Sequence, residues 1–189
     1  MAQSQITYPH VYVLGGSAGS LSVALKILPL LPLSLCVIVV FHRKPSEDSV
    51  LLDILGTRTN FIVKEVEDKD VLQAGVIYLA PPDYHVLIEK DGTLTLDYSE
   101  KVNYSRPSID VTFDSAAESC GERLTCILLS GANADGAEGM LRAKALGAKI
   151  IIQDPRFAEV PVMPQSALNL VKPDTLITAE NIREIFGGF

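Results

Sequence analysis

The sequence predicts an α/β fold: a three-layer, doubly wound, mostly parallel sheet of Rossmann-like type with a β-hairpin insertion. Three observations predict it. Continuous β-branched runs such as LCVIVVF at 35–41 are of the kind that lie covered on both faces in a parallel sheet. Stretches with helical spacing separate these runs, as right-handed crossovers require. Between Phe61 and Tyr98 the rhythm changes to short alternating runs broken by PPDY and KDGT, and KDGT holds an Asp91-Gly92 turn signal.

Taken in order, residues 11–15 (VYVLG) predict a first strand that ends in glycine. The following LSVALKILPLL predicts a helix in which Leu21, Ala24, Leu25 and Leu28 share one face. Residues 35–41 form a buried central strand. Ser46 to Leu55 opens with a capping serine and acids, continues with an apolar face, and is expected to stop at Gly56. The runs VIYLA, HVLIE and TLTLDY are assigned to the hairpin insertion. Alternation then resumes: helix Ser108–Cys120, strand Leu124–Leu129, helix Ala137–Leu146, strand Lys149–Gln153, helix Met163–Leu170 and a last helix Ala179–Phe186. At 189 residues the chain suits one core, with 1–10 as an N-terminal tail and 11–189 as a single domain.

Composition removes several classes of function. Hydrophobic residues make up 48% and charged residues 21%, which supports a packed core and excludes disorder. Sixteen Lys and Arg stand against 23 Asp and Glu, a net charge of −7, so no broad positive field exists and no nucleic-acid partner is expected. The longest apolar stretch, Leu25–Phe41, is interrupted by Lys26, Pro29, Pro32 and Ser34, so no membrane insertion is expected. The start, MAQSQITYPH, lacks a basic region and an apolar signal core, which predicts a cytoplasmic protein. Cys36, Cys120 and Cys126 show no CxxC spacing and read as buried free thiols. His10 and His85 lack two further ligand-type neighbours at metal spacing, so no metal is expected. Glu65, Glu67, Asp68 and Asp70 read as a solvated edge.

Function in such a sheet gathers at the carboxyl ends of the strands. Three strands there deliver reactive groups: the first ends in Gly15-Gly16-Ser17-Ala18-Gly19-Ser20, the second in His42, and a later one leads to Ser130-Gly131-Ala132-Asn133-Ala134-Asp135-Gly136. GGSAG matches G-x-S-x-G, a strand-to-helix turn that projects a serine hydroxyl above the sheet. Serine needs a base and a group to orient that base, and His42 and Asp135 are of the right types. Amides around Ala18–Ser20, and a second near Ala132, are candidate oxyanion donors. Each part also has a plain alternative: a phosphate-binding turn for the glycines, a structural hydrogen-bonding role for His42, and a helix N-cap for Asp135. The three together favour a catalytic Ser17, His42, Asp135 triad.

The segments VLGGSAGS, VVFHRKPS, GVIYLAPPDYHVLI, SRPSIDVTFDSAA, ILLSGANADGAEGM and IIQDPRFAEVPVMPQSA occur in an order that resembles the catalytic domain of CheB-type protein-glutamate methylesterases of bacterial chemotaxis. The resemblance runs from about Tyr12 to Asn169. It implies a serine esterase that hydrolyses glutamyl methyl esters on chemoreceptors to glutamate and methanol, with glutamine deamidation as a further activity. It also implies that the triad maps onto Ser17, His42 and Asp135, with no cofactor. The alternatives are a divergent esterase or amidase with another substrate, or a non-catalytic receptor-docking module.

Several positions depart from the family pattern: Ser20, Asn133 and Val162 where glycines are usual, and Arg43 and Ala132 where methionines are usual. Family members commonly carry an amino-terminal receiver domain. With only residues 1–10 before the first strand, control by phosphorylation in the same chain is not expected, and a separate receiver-domain protein is the expected regulator. An acidic enzyme meeting an acidic helix needs a local positive rim, and Arg43, Lys44 and Arg106 are the candidates. Arg106, Ser108 and Asp110 read equally as rim residues or as capping of the next helix.

Overall fold

The computed structural model describes residues 9–43 and 48–188. Its strands and helices follow as β1 (Val11–Gly16), α1 (Ser20–Ile27), β2 (Cys36–Phe41), α2 (Asp48–Arg58), β3 (Ile62–Glu65), β4 (Val76–Leu79), β5 (His85–Ile88), β6 (Leu94–Asp97), α3 (Ile109–Cys120), β7 (Leu124–Leu128), α4 (Ala137–Ala145), β8 (Lys149–Gln153), α5 (Val162–Leu170), β9 (Thr175–Ile177) and α6 (Ile182–Phe186). Seven strands form one sheet in the order β3-β4-β2-β1-β7-β8-β9. Every pairing in it is parallel.

Alternation along β1 and β2 divides the core into two layers. Val11, Val13, Cys36, Ile38 and Val40 face one side, where Phe113 of α3, Met140 of α4 and Met163 of α5 cover them. Tyr12, Leu14, Val37, Val39 and Phe41 face the other, against Ile27 of α1, Leu55 of α2 and Phe186 of α6. Period-two strands buried on both faces thus yield the expected three layers.

The hairpin is smaller than expected. VIYLA belongs to β4 in the main sheet, where Val76 to Leu79 are buried on both faces. Only β5 and β6 pair antiparallel as a separate two-stranded sheet. One edge of β5 is satisfied by α3 rather than by a third strand: Thr112 Oγ1 donates to Val86 O at 2.8 Å, Ser119 Oγ donates to Ile88 O at 2.7 Å, and Ile88 N–H donates to Ser115 Oγ at 3.0 Å. These side chains quench an edge that would otherwise be an open pairing template.

Helix α2 runs through Gly56 to Arg58 instead of stopping there. A glycine inside an exposed helix costs only about 1 kcal/mol, and no neighbour crowds this one. Ser46 and Glu47, expected to start the helix, lie outside the described residues. The last helix starts at Ile182 rather than Ala179, because Thr178 N–H donates to Asn181 Oδ1 and closes a turn first. The face of α1 is rotated from the expected one: Ala24, Ile27 and Leu28 are buried, while Leu21 and Leu25 lie at its margin.

All three cysteines are buried and free. Burial pushes the Cys36 thiol up to about 12 and Cys120 to about 11, so neither supplies a thiolate near neutrality.

Helices α3 and α4 approach closely at Gly139. A Cβ there would stand 2.9 Å from Phe113 Cβ and 3.0 Å from the Asp110 backbone. Gly139→Ala is expected to wedge the helices apart and destabilise the protein by roughly 1–3 kcal/mol. Urea unfolding with an unchanged m-value measures it, and a variant as stable as the wild type would show that the helices can separate freely.

Candidate active site

Strand order places β2 on one side of β1 and β7 on the other, so the chain reverses its winding direction at β1. Such a switch point opens a crevice at the carboxyl ends of the strands. The ends of all three strands are stitched together there. Ser17 N–H donates to Ser130 O at 2.9 Å, His42 N–H to Gly16 O at 3.1 Å, and Leu129 N–H to Gly15 O at 3.0 Å. Gly19, at φ +78°, turns the chain into α1 in a left-handed conformation that favours glycine.

Ser17 and His42 line one cavity of about 420 Å³, with an apolar wall from Leu21, Phe41, Val50, Leu51 and Ile54. His42 Nε2 lies 2.7 Å from Asp135 Oδ2. Its side chain is 15% exposed and that of Asp135 is 0% exposed, so the pair reaches solvent only at the imidazole. Among the described residues, Ser17 Oγ makes no hydrogen bond to His42. Catalytic contacts of this kind often tighten only when substrate is bound.

Asp135 is held from four directions. Ser108 Oγ donates to Oδ1 at 2.8 Å and Asp110 N–H to Oδ1 at 3.0 Å, while Ile109 N–H donates to Oδ2 at 2.7 Å beside His42. Burial pushes its carboxyl upward, but the His42 bond and the Ile109 and Asp110 amides outweigh burial and hold it below the usual value. An ionised Asp135 only accepts hydrogen bonds, so His42 Nε2 carries the proton and Nδ1 is left as the basic nitrogen. The N-terminus of α3 thus fixes both the charge of the aspartate and the tautomer of the histidine.

Ser108 combines the two roles that its sequence position left open. It caps α3, accepting from Val111 N–H at 3.4 Å, and it also donates to Asp135. Asp110 has its own environment. Its carboxylate accepts from Gly139 N–H at 2.6 Å and Asn103 Nδ2 at 2.7 Å, while burial, with the nearby Asp135 adding, raises it to about 6.

This value lies above the ordinary 3.8, so the native state holds the proton more tightly than the unfolded chain. Asp110's contribution to stability is complete below pH 3.8 and is lost as pH rises through about 6. Asp110→Asn is expected to remove that decline, so its melting temperature should gain on the wild type between pH 4 and pH 7. A gap that stays constant across that range would rule out titration of Asp110 as the cause.

The departures from the family pattern settle quietly into the loops. Asn133 is not left-handed; it accepts from Asp135 N–H and donates to Ser105 Oγ, each at 3.2 Å. Ser20 is buried and donates to Ser17 O at 2.6 Å. Val162 opens α5 as an exposed helical residue.

Of the arginines named for a positive rim, Arg43 lines the cavity beside His42, but both side chains are largely buried. Arg43 is 3% exposed at its side chain, donating to Ala80 O at 2.8 Å and Glu65 Oε2 at 3.3 Å. Arg106 is 12% exposed, stacks over Tyr98 at 3.9 Å and donates to Ser99 O at 2.7 Å. Arg43 is committed to a backbone carbonyl and a carboxylate, and Arg106 to backbone and a ring; Lys44 lies outside the described residues. The acidic stretch is not simply a solvated edge, since Asp70 pairs with Lys64 at 2.7 Å and Asp68 accepts from Leu96 N–H at 3.1 Å.

Of the candidate oxyanion donors, Ser20 N–H is spent on Ser17 O and Gly131 N–H on Val160 O. Among the described residues, the amides of Ala18, Gly19 and Ala132 donate to no protein acceptor. No group of His, Cys, Asp and Glu among the described residues could hold a metal ion, and no described helix is long and apolar enough to cross a membrane.

The family model for CheB methylesterase matches residues 12–186 of this architecture. The chain belongs to the CheB methylesterase family. A protein of Leptospira interrogans, provisionally named protein-glutamate methylesterase/protein-glutamine glutaminase, is 40% identical over 176 residues, covering 92% of this chain and 91% of that protein. The protein-glutamate methylesterase/protein-glutamine glutaminase of Thermotoga maritima is 32% identical over 179 residues, and the match covers 92% of this chain but 52% of that protein. The crystal structure of the Thermotoga maritima CheB methylesterase catalytic domain superposes with a TM-score of 0.88 at 30% identity, covering 96% of this chain and 98% of the other. The CheB methylesterase fold therefore extends over nearly the whole chain.

Proposed function

We propose that this chain is a cytoplasmic serine esterase that hydrolyses glutamyl methyl esters on a methylated chemoreceptor or similar helical signalling protein, and that it also deamidates glutamine. The observation that carries the reading is the 2.7 Å bond between His42 Nε2 and Asp135, which reserves Nδ1 as a base for the serine that shares its cavity. On this reading residues 11–189 act as one catalytic domain.

Ser17 Oγ attacks the ester carbonyl carbon as its proton passes to His42 Nδ1. The negative charge moves to the carbonyl oxygen, where the amides of Ala18, Gly19 or Ala132 supply donors. Collapse re-forms the carbonyl and expels the methoxy group, which leaves as methanol with the proton from His42. Water then attacks the glutamyl-serine ester by the same route and frees Ser17.

The test is hydrolysis of methylated receptor membranes in ¹⁸O water. One ¹⁸O should appear in each new glutamate carboxylate and none in the methanol. Methanol no higher than a protein-free blank would overturn the substrate assignment. Labelling of Ser17 by a fluorophosphonate without methanol release would point to a divergent esterase, and receptor capture with neither activity to a docking module.

A further inference from the structure

We propose that His85 is a positioning residue for the His42–Asp135 pair, acting through the Ser108 peptide; this rests on the catalytic reading above. His85 is fully buried at the start of β5, and no step of the mechanism uses it. Its two ring nitrogens meet partners of opposite kind. The Glu100 carbonyl, 2.9 Å from Nε2, can only accept, so Nε2 carries a proton. The Ser108 amide, 3.0 Å from Nδ1, can only donate, so Nδ1 is bare. Together they hold His85 in one neutral tautomer.

The polarity runs unbroken from there to the site. Ser108 N–H donates to His85, Ser108 Oγ–H donates to Asp135 Oδ1, and His42 Nε2–H donates to Asp135 Oδ2. Ser108 is the N-cap of α3, with φ −100° and ψ 132°, so its amide lies outside the helix's own ladder. His85 therefore anchors the peptide immediately before the Ile109 and Asp110 amides that bind Asp135. If the Ser108 peptide rotated, the hydroxyl and both amides would move off the carboxylate together. Without them Asp135 would no longer fix which nitrogen of His42 is basic.

The ring also reaches outward. Glu100 lies in the loop from β6 to α3, and the same loop is tied to the site by Asn133 Nδ2 donating to Ser105 Oγ. An imidazole spans both jobs where an amide side chain covers only one. Asparagine can place an acceptor near the Nδ1 position, whereas glutamine places its amide near Nε2.

Two measurements test this. In the ¹⁵N-labelled wild type, a coupling across the hydrogen bond should link Ser108 N to His85 Nδ1, with the ring proton on Nε2 at pH 7. A proton found on Nδ1, or an absent coupling, would overturn the proposal without any mutation. In the second, His85→Asn should keep fluorophosphonate labelling of Ser17 within about threefold of wild type, while His85→Gln should lose about ten- to hundredfold, as supporting partners of active sites typically do. The downfield proton resonance of His42 Nε2 should move only in His85→Gln. Equal labelling in both variants with that resonance unmoved would sink the idea, as would losses that merely track each variant's melting temperature. A wild type that neither labels nor releases methanol would bring down the catalytic reading instead, and the coupling still reports on His85 in that protein.

Discussion

Ser17→Ala is expected to lower methanol release from methylated receptor by about 10⁶-fold, to a floor that His42→Ala and the double variant share. The reasoning lies in the division of labour at the switch point. Alanine at 17 leaves the cavity and the donor amides intact but removes the only proposed atom that can form the acyl intermediate. Alanine at 42 leaves that atom in place as a protonated hydroxyl, which is a poor nucleophile near neutrality. Neither half works alone, so the losses should not add: the double variant should be no slower than the singles within about threefold. Residual catalysis of roughly 10³-fold over water should persist in all three, because binding and the oxyanion donors survive. Single-turnover methanol release at saturating receptor measures each floor. His42→Ala within tenfold of wild type would remove the histidine from the chemistry, and a double variant far slower than either single would break the claim that they act as a unit.

The parts of this site that follow from strand ends were legible from the amino-acid sequence. GGSAG after VYVL, His42 after VIVVF and Asp135 beyond ILLS each sit where a buried strand must stop, and parallel winding about β1 brings those ends together. Less legible were the elements whose residues carry no distinctive pattern. Strand β3 is only four residues, IVKE, with Ile62 69% exposed at the sheet edge, and β9 is three residues long. VIYLA and HVLIE look alike as short apolar runs between turns, yet one lies inside the parallel sheet and the other in the hairpin. What separates them is the pairing partner, β2 and β3 for the one and β6 alone for the other, a property of the surroundings.

Two of the three donors from α3 to Asp135 are backbone amides, of Ile109 and Asp110, which any residue would supply. The sequence signal was the helix start itself, SID, which already allowed a capping serine. His85 carried no signal toward the site, because its partners are a carbonyl and an amide far along the chain. The burial of the two arginines was hidden for a related reason. Charge is visible in a sequence, but whether a guanidinium reaches water depends on carbonyls such as Ala80 and rings such as Tyr98 that fold against it.

Asp135→Asn is expected to cost about 10⁴-fold in kcat with KM little changed, a loss comparable to that of the orienting aspartate in other serine hydrolases. Four donors converge on this carboxylate, and all can be satisfied only by a group that accepts at both oxygens. An asparagine accepts at one and presents an N–H₂ at the other. If the amide nitrogen faces Ile109 and His42, the Ile109 N–H loses its acceptor and His42 must turn its bare nitrogen inward. The proton then sits on Nδ1, where it cannot receive another from Ser17. If the amide is flipped, the Ser108 hydroxyl can rotate but the Asp110 N–H is left unpaired in a buried site. Either orientation strands a donor, at about 1–3 kcal/mol of stability. The pH dependence separates this from simple loosening. Asp135 is depressed in the folded state, so its contribution is present above the unfolded value of 3.8 and is lost as pH falls through the lower folded one. The variant should therefore lose part of the wild type's acid-side decline in melting temperature. Ser108→Ala provides the contrast: it removes one neutral donor and leaves three, so its kcat should fall by only about tenfold. If Asp135→Asn and Ser108→Ala fell equally, orientation of His42 by a fully satisfied carboxylate would not be what this helix terminus supplies.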